Sequence, residues 1–382
     1  MTRRPRTTSA LLCLWSLLAA ASPARAQSSA SPDSRAADLG RAWTAIAAGK
    51  HEIADKIAEQ LLRKAPMDHA ALTVGIAARC GAGNPMSALD AYEVWLKRSQ
   101  SEDVFLLEPV ALETLAGLSA SNDPVVVAAA LTKLARRDGE RARALLARAK
   151  ASPALDGVAA ALGDAAATGR LTTALSSPNP RLKQLALTQI TRSAPSALNA
   201  DHLAPLLGDP APPLRAEAAK ALAATGAPGA ADLVRPLLGD QDPYVRASAA
   251  VALGHLGDAQ GIETLEQMLN SPVADTAVMA AEVLGAKGVD VSQVAERALR
   301  AENPLTRLSA IPLIERSAPR RALDLLREAV RDSNPVVRLR AAAILSDLAV
   351  GDVALLRALL RDSTPEIRIH AAAALLALAH GR

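Results

Sequence analysis

The sequence predicts an all-α fold, a right-handed α-solenoid of stacked helical hairpins. Three observations predict it. Self-similar segments recur along most of the 382 residues. Only 2% of residues are aromatic while 50% are hydrophobic, so the core is built from Ala, Leu, Val and Ile, which suits closely packed helices. Each segment carries one apolar stripe at the spacing of an α-helix and too little core to fold alone, so stacking must supply the missing contacts.

Residues 1–26 read as a secretory signal. Arg3, Arg4 and Arg6 form a basic start, an apolar run extends from Ala10 to Ala21, and Ala24-Arg25-Ala26 offers a cleavage site before Gln27. The apolar run is short for a membrane span, and charges interrupt every later one. Cys13 follows Leu12 rather than a small residue, which disfavours lipidation. It would leave with the signal, making Cys80 the only mature cysteine. With no partner for a disulfide in an oxidising compartment, Cys80 is expected to be buried as a small hydrophobe. Residues 27–34 read as a polar linker.

Two segments of thirty-four residues fill 35–102. Gly49, Ala54, Ala58, Leu61 and Pro66 in the first face Gly83, Ala88, Tyr92 and Trp95 in the second. This spacing resembles the second half of tetratricopeptide repeats. The resemblance implies that the Gly closes one helix and the following Ala lets the pair approach.

From about residue 121 the period becomes roughly thirty-one. Pro124, Pro153, Pro180, Pro212, Pro243, Pro304, Pro335 and Pro365 mark successive units, with Ala274 in the remaining slot. Proline at a helix's first position has φ already set and needs no N–H partner, so each anchor predicts a helix start. Six residues on, all nine units hold Ala. Ten residues on they hold Leu or Ile except at Gly163. A second helix follows in each unit, separated by turns such as Gly257-Asp258 and Gly351-Asp352. Asp240-Gln241-Asp242-Pro243-Tyr244-Val245-Arg246 with the helix after it resembles short HEAT repeats of the phycobilisome-lyase-like class. That resemblance covers about 121–382, is strongest from 204 onward and weaker where Val127, Asp156 and Ala277 replace the usual basic residue; the HEAT-like repeat solenoid is placed at 103–382, with about nine units.

Charge sets the functional expectations. The formal net charge is +4, but residues 1–26 hold four arginines and no acid, leaving 39 basic against 39 acidic residues. This removes the main support for binding nucleic acid, which needs accumulated positive charge. Locally, net charge alternates: −3 over 27–120, +4 over 121–150, −4 over 151–300 and +3 over 301–382. An acid and an arginine recur six residues apart, as Asp209 with Arg215, Asp240 with Arg246, Asp332 with Arg338, and Asp362 with Arg368. They are expected to tie neighbouring turns together. Arg297, Arg300, Arg327, Arg331, Arg357 and Arg361 lie on second helices, which the family resemblance implies line the concave face. They are candidates for a basic partner-binding stripe, with Trp43 as an aromatic anchor. A further basic cluster, Arg136, Arg137, Arg141, Arg143, Arg148 and Lys150, reads as solvated surface.

No phosphate-binding loop or nucleophile elbow occurs. His51-Glu52 begins a zinc-protease pattern, but Asp55 stands where the second His must be. No unit carries the His-Glu pairs of di-iron HEAT-like hydroxylases, so no cofactor is expected. The expectation is an exported bacterial scaffold, periplasmic or secreted and non-catalytic, that binds proteins on its concave face. The alternatives are a lyase-like enzyme or assembly factor acting on an envelope substrate, and an envelope protein that self-associates through the exposed end of its last helix, Ala379-His380-Gly381-Arg382.

Overall fold

The computed structural model describes residues 32–193, 198–315, 317–348 and 352–380. Among them the chain is helical throughout, with no strand. Two hairpins lead: α1 (Pro32–Ala47) with α2 (His51–Lys64), and α3 (His69–Gly81) with α4 (Pro85–Ser99). Since α1 opens at Pro32, the last three residues of the expected linker are its first turn. Gly49 and Gly83 end α1 and α3 with φ of 71° and 76°, a conformation that costs glycine nothing. A short 3₁₀ turn (Val104–Leu107) and α5 (Glu108–Leu118) join this part to the repeats.

The nine anchored helices all begin at their anchors. They are α6 (Pro124–Ala135), α8 (Pro153–Ala161), α10 (Pro180–Ser193), α12 (Pro212–Thr225), α14 (Pro243–Leu256), α16 (Ala274–Ala286), α18 (Pro304–Ile314), α20 (Pro335–Leu348) and α22 (Pro365–His380). Acid and amide caps support the starts: Asp123, Asp242 and Asn303 each accept a backbone N–H from the residue two further on. Such a cap contributes about 1 kcal/mol. The second helices are α7 (Gly139–Leu146), α9 (Ala165–Ala174), α11 (Ala200–Leu203), α13 (Ala230–Val234), α15 (Ala259–Leu269), α17 (Ser292–Ala298), α19 (Pro319–Ala329) and α21 (Val353–Leu359). Asp138, Asp164, Asp258 and Asp352 cap four of these. Helix α8 is cut short because Gly163, at φ 92°, reverses the chain where other units place Leu or Ile.

The alanine column explains the spacing. Ala130, Ala186, Ala218, Ala249, Ala280, Ala310, Ala341 and Ala371 are essentially inaccessible, and only Ala159 is half-buried. A methyl group is the largest side chain that lets successive first helices pack directly on one another, as they do along the whole series. Consecutive second helices do not pack together over any length. In a curved stack the inner layer is the crowded one, so the first helices form the inner wall and the second helices splay outside. This corrects the expectation that second helices line the concave side. The burial pattern agrees: α14 and α22 are buried around most of their circumference, whereas α19 is apolar on one stripe and charged on the other.

The solenoid closes into a ring. Helix α22 packs against α5, α6 and the 3₁₀ turn, joining residues about 240 to 270 apart in sequence. Among the described residues no second helix follows α22. Helix α5 packs along α22 and leads into α6 as every second helix leads into the next first helix. One apolar cluster therefore contains Leu107, Val110, Ala111 and Leu115 from one end of the chain and Ala372, Leu375 and Leu376 from the other. The end face on which self-association was expected to rest is thus covered by the protein's own α5 and α6.

Candidate interaction surface

On most first helices the residues at one, five, eight and twelve positions after the anchor are reached by solvent, α8 with its buried Ala154 and Val158 being the main exception. On α12 these are Pro213, Glu217, Lys220 and Ala224; on α14, Tyr244, Val251 and His255, with Ser248 fully buried; on α20, Val336, Arg340, Ala343 and Asp347. Offsets of four, three and four trace one stripe on a helix, here the stripe facing the ring's centre. Charges on alternate first helices sense each other across this side, Glu282 of α16 with Arg340 of α20, and Lys133 of α6 with Asp347 of α20. Nine helices about 9 Å apart on a circle leave an opening roughly 15 Å wide once the helices' own thickness is subtracted.

The inner wall is chemically mixed. Burial raises the Glu282 carboxyl's pKa and lowers that of the Lys133 ammonium, with Arg136 adding to the second effect. Burial also lowers His370 to about 4, so its imidazole is neutral, and its Nδ1 is enclosed without a hydrogen-bond partner. Lys220 lies 5.1 Å from the Tyr244 ring centroid and donates to its hydroxyl at 3.0 Å. Val125, Tyr244, Leu305 and Val336, each one residue past an anchor, are exposed apolar groups. Among the described residues no group of three or more His, Cys, Asp or Glu is placed to hold a metal ion.

The arginines expected to form a binding stripe are mostly engaged within the protein. Arg327 donates to Asp352 at 2.7 Å and to Asp324 at 2.9 Å. Arg357 donates to Glu102 at 2.7 Å, lies 3.5 Å from Glu93 and rests over the Tyr92 ring at 5.6 Å. Arg361 donates to Asp90 at 2.7 Å and to Glu93 at 3.3 Å. Arg297 donates to the carbonyl of Leu269 at 3.0 Å. Arg300 is 4.0 Å from Glu296 and mostly exposed, and Arg331 is exposed. Within the further basic cluster, Arg137 donates to the Leu376 carbonyl, Arg141 to Glu113 and Arg143 to the Leu162 carbonyl, so these three hold the fold. Trp43 is half-buried against the core of the first hairpin, and Tyr92 and Trp95 are buried. Cys80 is buried, and desolvation pushes its thiol to about 12. Ala26 and Gln27, the expected cleavage point, lie outside the described residues.

The acid–arginine ladder links units with a register that spacing alone did not reveal. Arg215 takes the backbone carbonyl of its own Asp209 at 2.8 Å and the carboxylate of the next unit's Asp240 at 2.7 and 2.8 Å. Lys183 reaches Asp209 and Arg338 reaches Asp362 in the same way. The Arg215 guanidinium holds the Asp240 carboxyl below the usual carboxylate range. At Asp209 burial opposes the lowering and the Lys183 contact overcomes it. Arg246 takes the carbonyls of Asp240 and Gln241, because Ser271 fills the slot where the next unit would place an acid. Arg338 also takes the Asp332 carbonyl at 3.0 Å, and the Nε of Arg368, at the last rung, is enclosed without a partner.

The inner stripe was the part missed from the sequence. Its signal was present in the non-apolar columns of the same repeats, but nothing local said that they face inward.

The model of the HEAT repeats family matches residues 168–238, 200–285 and 291–377, together more than half of the chain. Among solved structures, an engineered protein is 19% identical, covering 88% of this chain and 98% of its own, with a TM-score of 0.29. Human deoxyhypusine hydroxylase in complex with glycerol is 18% identical, covering 73% and 97%, with a TM-score of 0.34. A second engineered protein is 22% identical, covering 69% and 94%, with a TM-score of 0.28. No curated protein matches the sequence. The matched segments take in the anchored helices from α10 to α22, and cover more than half of the chain: this chain belongs to the HEAT-repeat family.

Proposed function

We propose that this protein is an exported, non-catalytic scaffold of the periplasm or cell exterior that holds a polypeptide partner on the inner wall of its ring. The single observation that carries the reading is the inward stripe, repeated on successive first helices with small, polar and singly charged side chains in register. Such a surface meets a chain of mixed side chains one repeat at a time, which is how solenoids read extended partners. The tetratricopeptide-like spacing of 35–102 and the signal-like 1–26 support the placing of the two leading hairpins and the export route.

The test is site-specific photo-crosslinking in the envelope. A crosslinking residue in place of Val251 or Arg340, both on the inner wall, is expected to capture polypeptide, while one at Gln267 on the outer α15 is not. Capture from Gln267 alone would refute the reading, as would a product from Val251 and Arg340 that contains no polypeptide.

A further inference from the structure

The ring has one junction that no chain segment crosses, where α21 and α22 meet α4, α5 and α6. Elsewhere the connection between units limits how far neighbours can part. The seam is also held differently. Between arc units such as those of α12 and α14 the Arg215–Asp240 rung is joined by Lys220 with Tyr244 and Arg235 with Asp258. At the seam Arg357 and Arg361 meet Asp90, Glu93 and Glu102, and His380 meets Glu108 at 2.7 Å. The ladder itself stops there, because Ser121 fills the slot that would answer Arg368. The apolar part of the contact, as in the arc, mixes alanines with larger groups: Ala111 and Ala372 share one cluster with Leu107, Leu115, Leu375 and Leu376. The charge alternation explains the pairing: the −3 of residues 27–120 meets the +3 of 301–382.

We propose that the ring opens and closes at this seam, and that the ionic latch between α21 and α4 controls the entry of a polypeptide to the inner wall. This rests on the inner-wall reading above. An opening roughly 15 Å wide passes an extended chain end-on but not a folded domain or the middle of a long segment. Parting the seam exposes the wall sideways. Salt screens partly exposed ion pairs and leaves apolar packing intact; arc junctions such as Arg235–Asp258 and Arg327–Asp352 have such pairs too, but only at the seam does no chain connection hold the ends once the pairs weaken.

The test measures distance and needs no partner. In the full chain with Cys13→Ser, spin labels are placed at Val94→Cys on α4 and Ala358→Cys on α21, both exposed; buried Cys80, with its raised thiol pKa, stays unlabelled. Pulsed electron resonance is expected to show a short distance at low salt. A longer population should grow about tenfold between 0.05 and 0.5 M salt. A control pair on α15 and α17, Gln267→Cys with Gln293→Cys, should not change. Arg357→Glu with Arg361→Glu should give the long population already at low salt, and adding Asp90→Arg and Glu93→Arg should restore the short one. A single short distance for the α4–α21 pair at every salt concentration overturns the proposal, and so does an equal response of the control pair. Should the reversed variants lose helical circular dichroism, the salt titration of the unreversed chain decides. A seam that opens while Val251 and Arg340 capture no polypeptide keeps the gate and sinks the inner-wall reading; capture with a seam that never opens does the reverse.

Discussion

Two junctions of the same ring are built from the same columns and held by different forces. Between α12 and α14 the chain itself makes the connection. A guanidinium in each unit grips the backbone of its own turn and the carboxylate of the next, and the alanine column brings the helices together. Between α22 and α6 there is no connection and no rung. Helix α5 packs along α22, and Arg357 and Arg361 reach an acidic surface more than 250 residues away in sequence. The difference teaches that stacking units needs only local repetition, whereas closing a ring needs complementarity between ends that never repeat each other.

The largest expected effect tests whether the seam is as well packed as the arc. Leu253 and Leu375 occupy the same column and are both fully buried. Leu253→Ala should cost about 2–5 kcal/mol, and Leu375→Ala the same if α22 is docked in most molecules. Urea unfolding of both variants measures it; a much smaller loss for Leu375→Ala would show a seam that is usually open.

A pH effect comes next. His370 lies five residues past its anchor, where α14 has Ser248, and it faces Lys133 of α6 and Asp347 of α20. Its folded pKa is about 4, against an ordinary value of 6.5, because burial disfavours the cation. The unfolded chain therefore binds the extra proton, and stability falls as pH drops from 6.5 towards 4, by up to about 3 kcal/mol. In His370→Gln the slope of unfolding free energy over that window should shrink accordingly. An unchanged slope would mean that His370 is solvated and the seam loose.

The smallest effects separate the arginines. Arg357 is only 12% exposed, and Arg357→Ala removes its pairs with Glu102 and Glu93 and its packing over Tyr92, for a cost of about 2 kcal/mol. Arg246 is exposed and hydrogen-bonds only to backbone carbonyls, so Arg246→Ala should cost less than about 1 kcal/mol. Chemical denaturation in low and high salt checks both, and the Arg357 loss should narrow as salt rises. Equal losses would dissolve the distinction between latch and ladder.

Much of this was legible in the residues. The proline and Ala274 anchors marked the start of nine helices, and the alanine column marked where helices touch. The break at Gly163 showed as an exception in the column, but the shortening of α8 was seen only in the structure. The acid–arginine spacing showed that a ladder exists but not that each arginine skips its own carboxylate for the next unit's, since that depends on how far units rotate. The candidate stripe of second-helix arginines was misplaced for the same reason. Arg327 and Arg357 look free on a helical wheel and are engaged only once a neighbour is placed beside them.

The sequence by itself determined the units: where helices begin, which face is apolar, and that no unit folds alone. Those features rest on backbone dihedrals, caps and periodicities that act within a dozen residues. Only the tertiary structure decided which helices face inward and that the chain closes. Small rotations between units add up over nine repeats, and their sum brings an acidic beginning against a basic end. No local rule contains that sum.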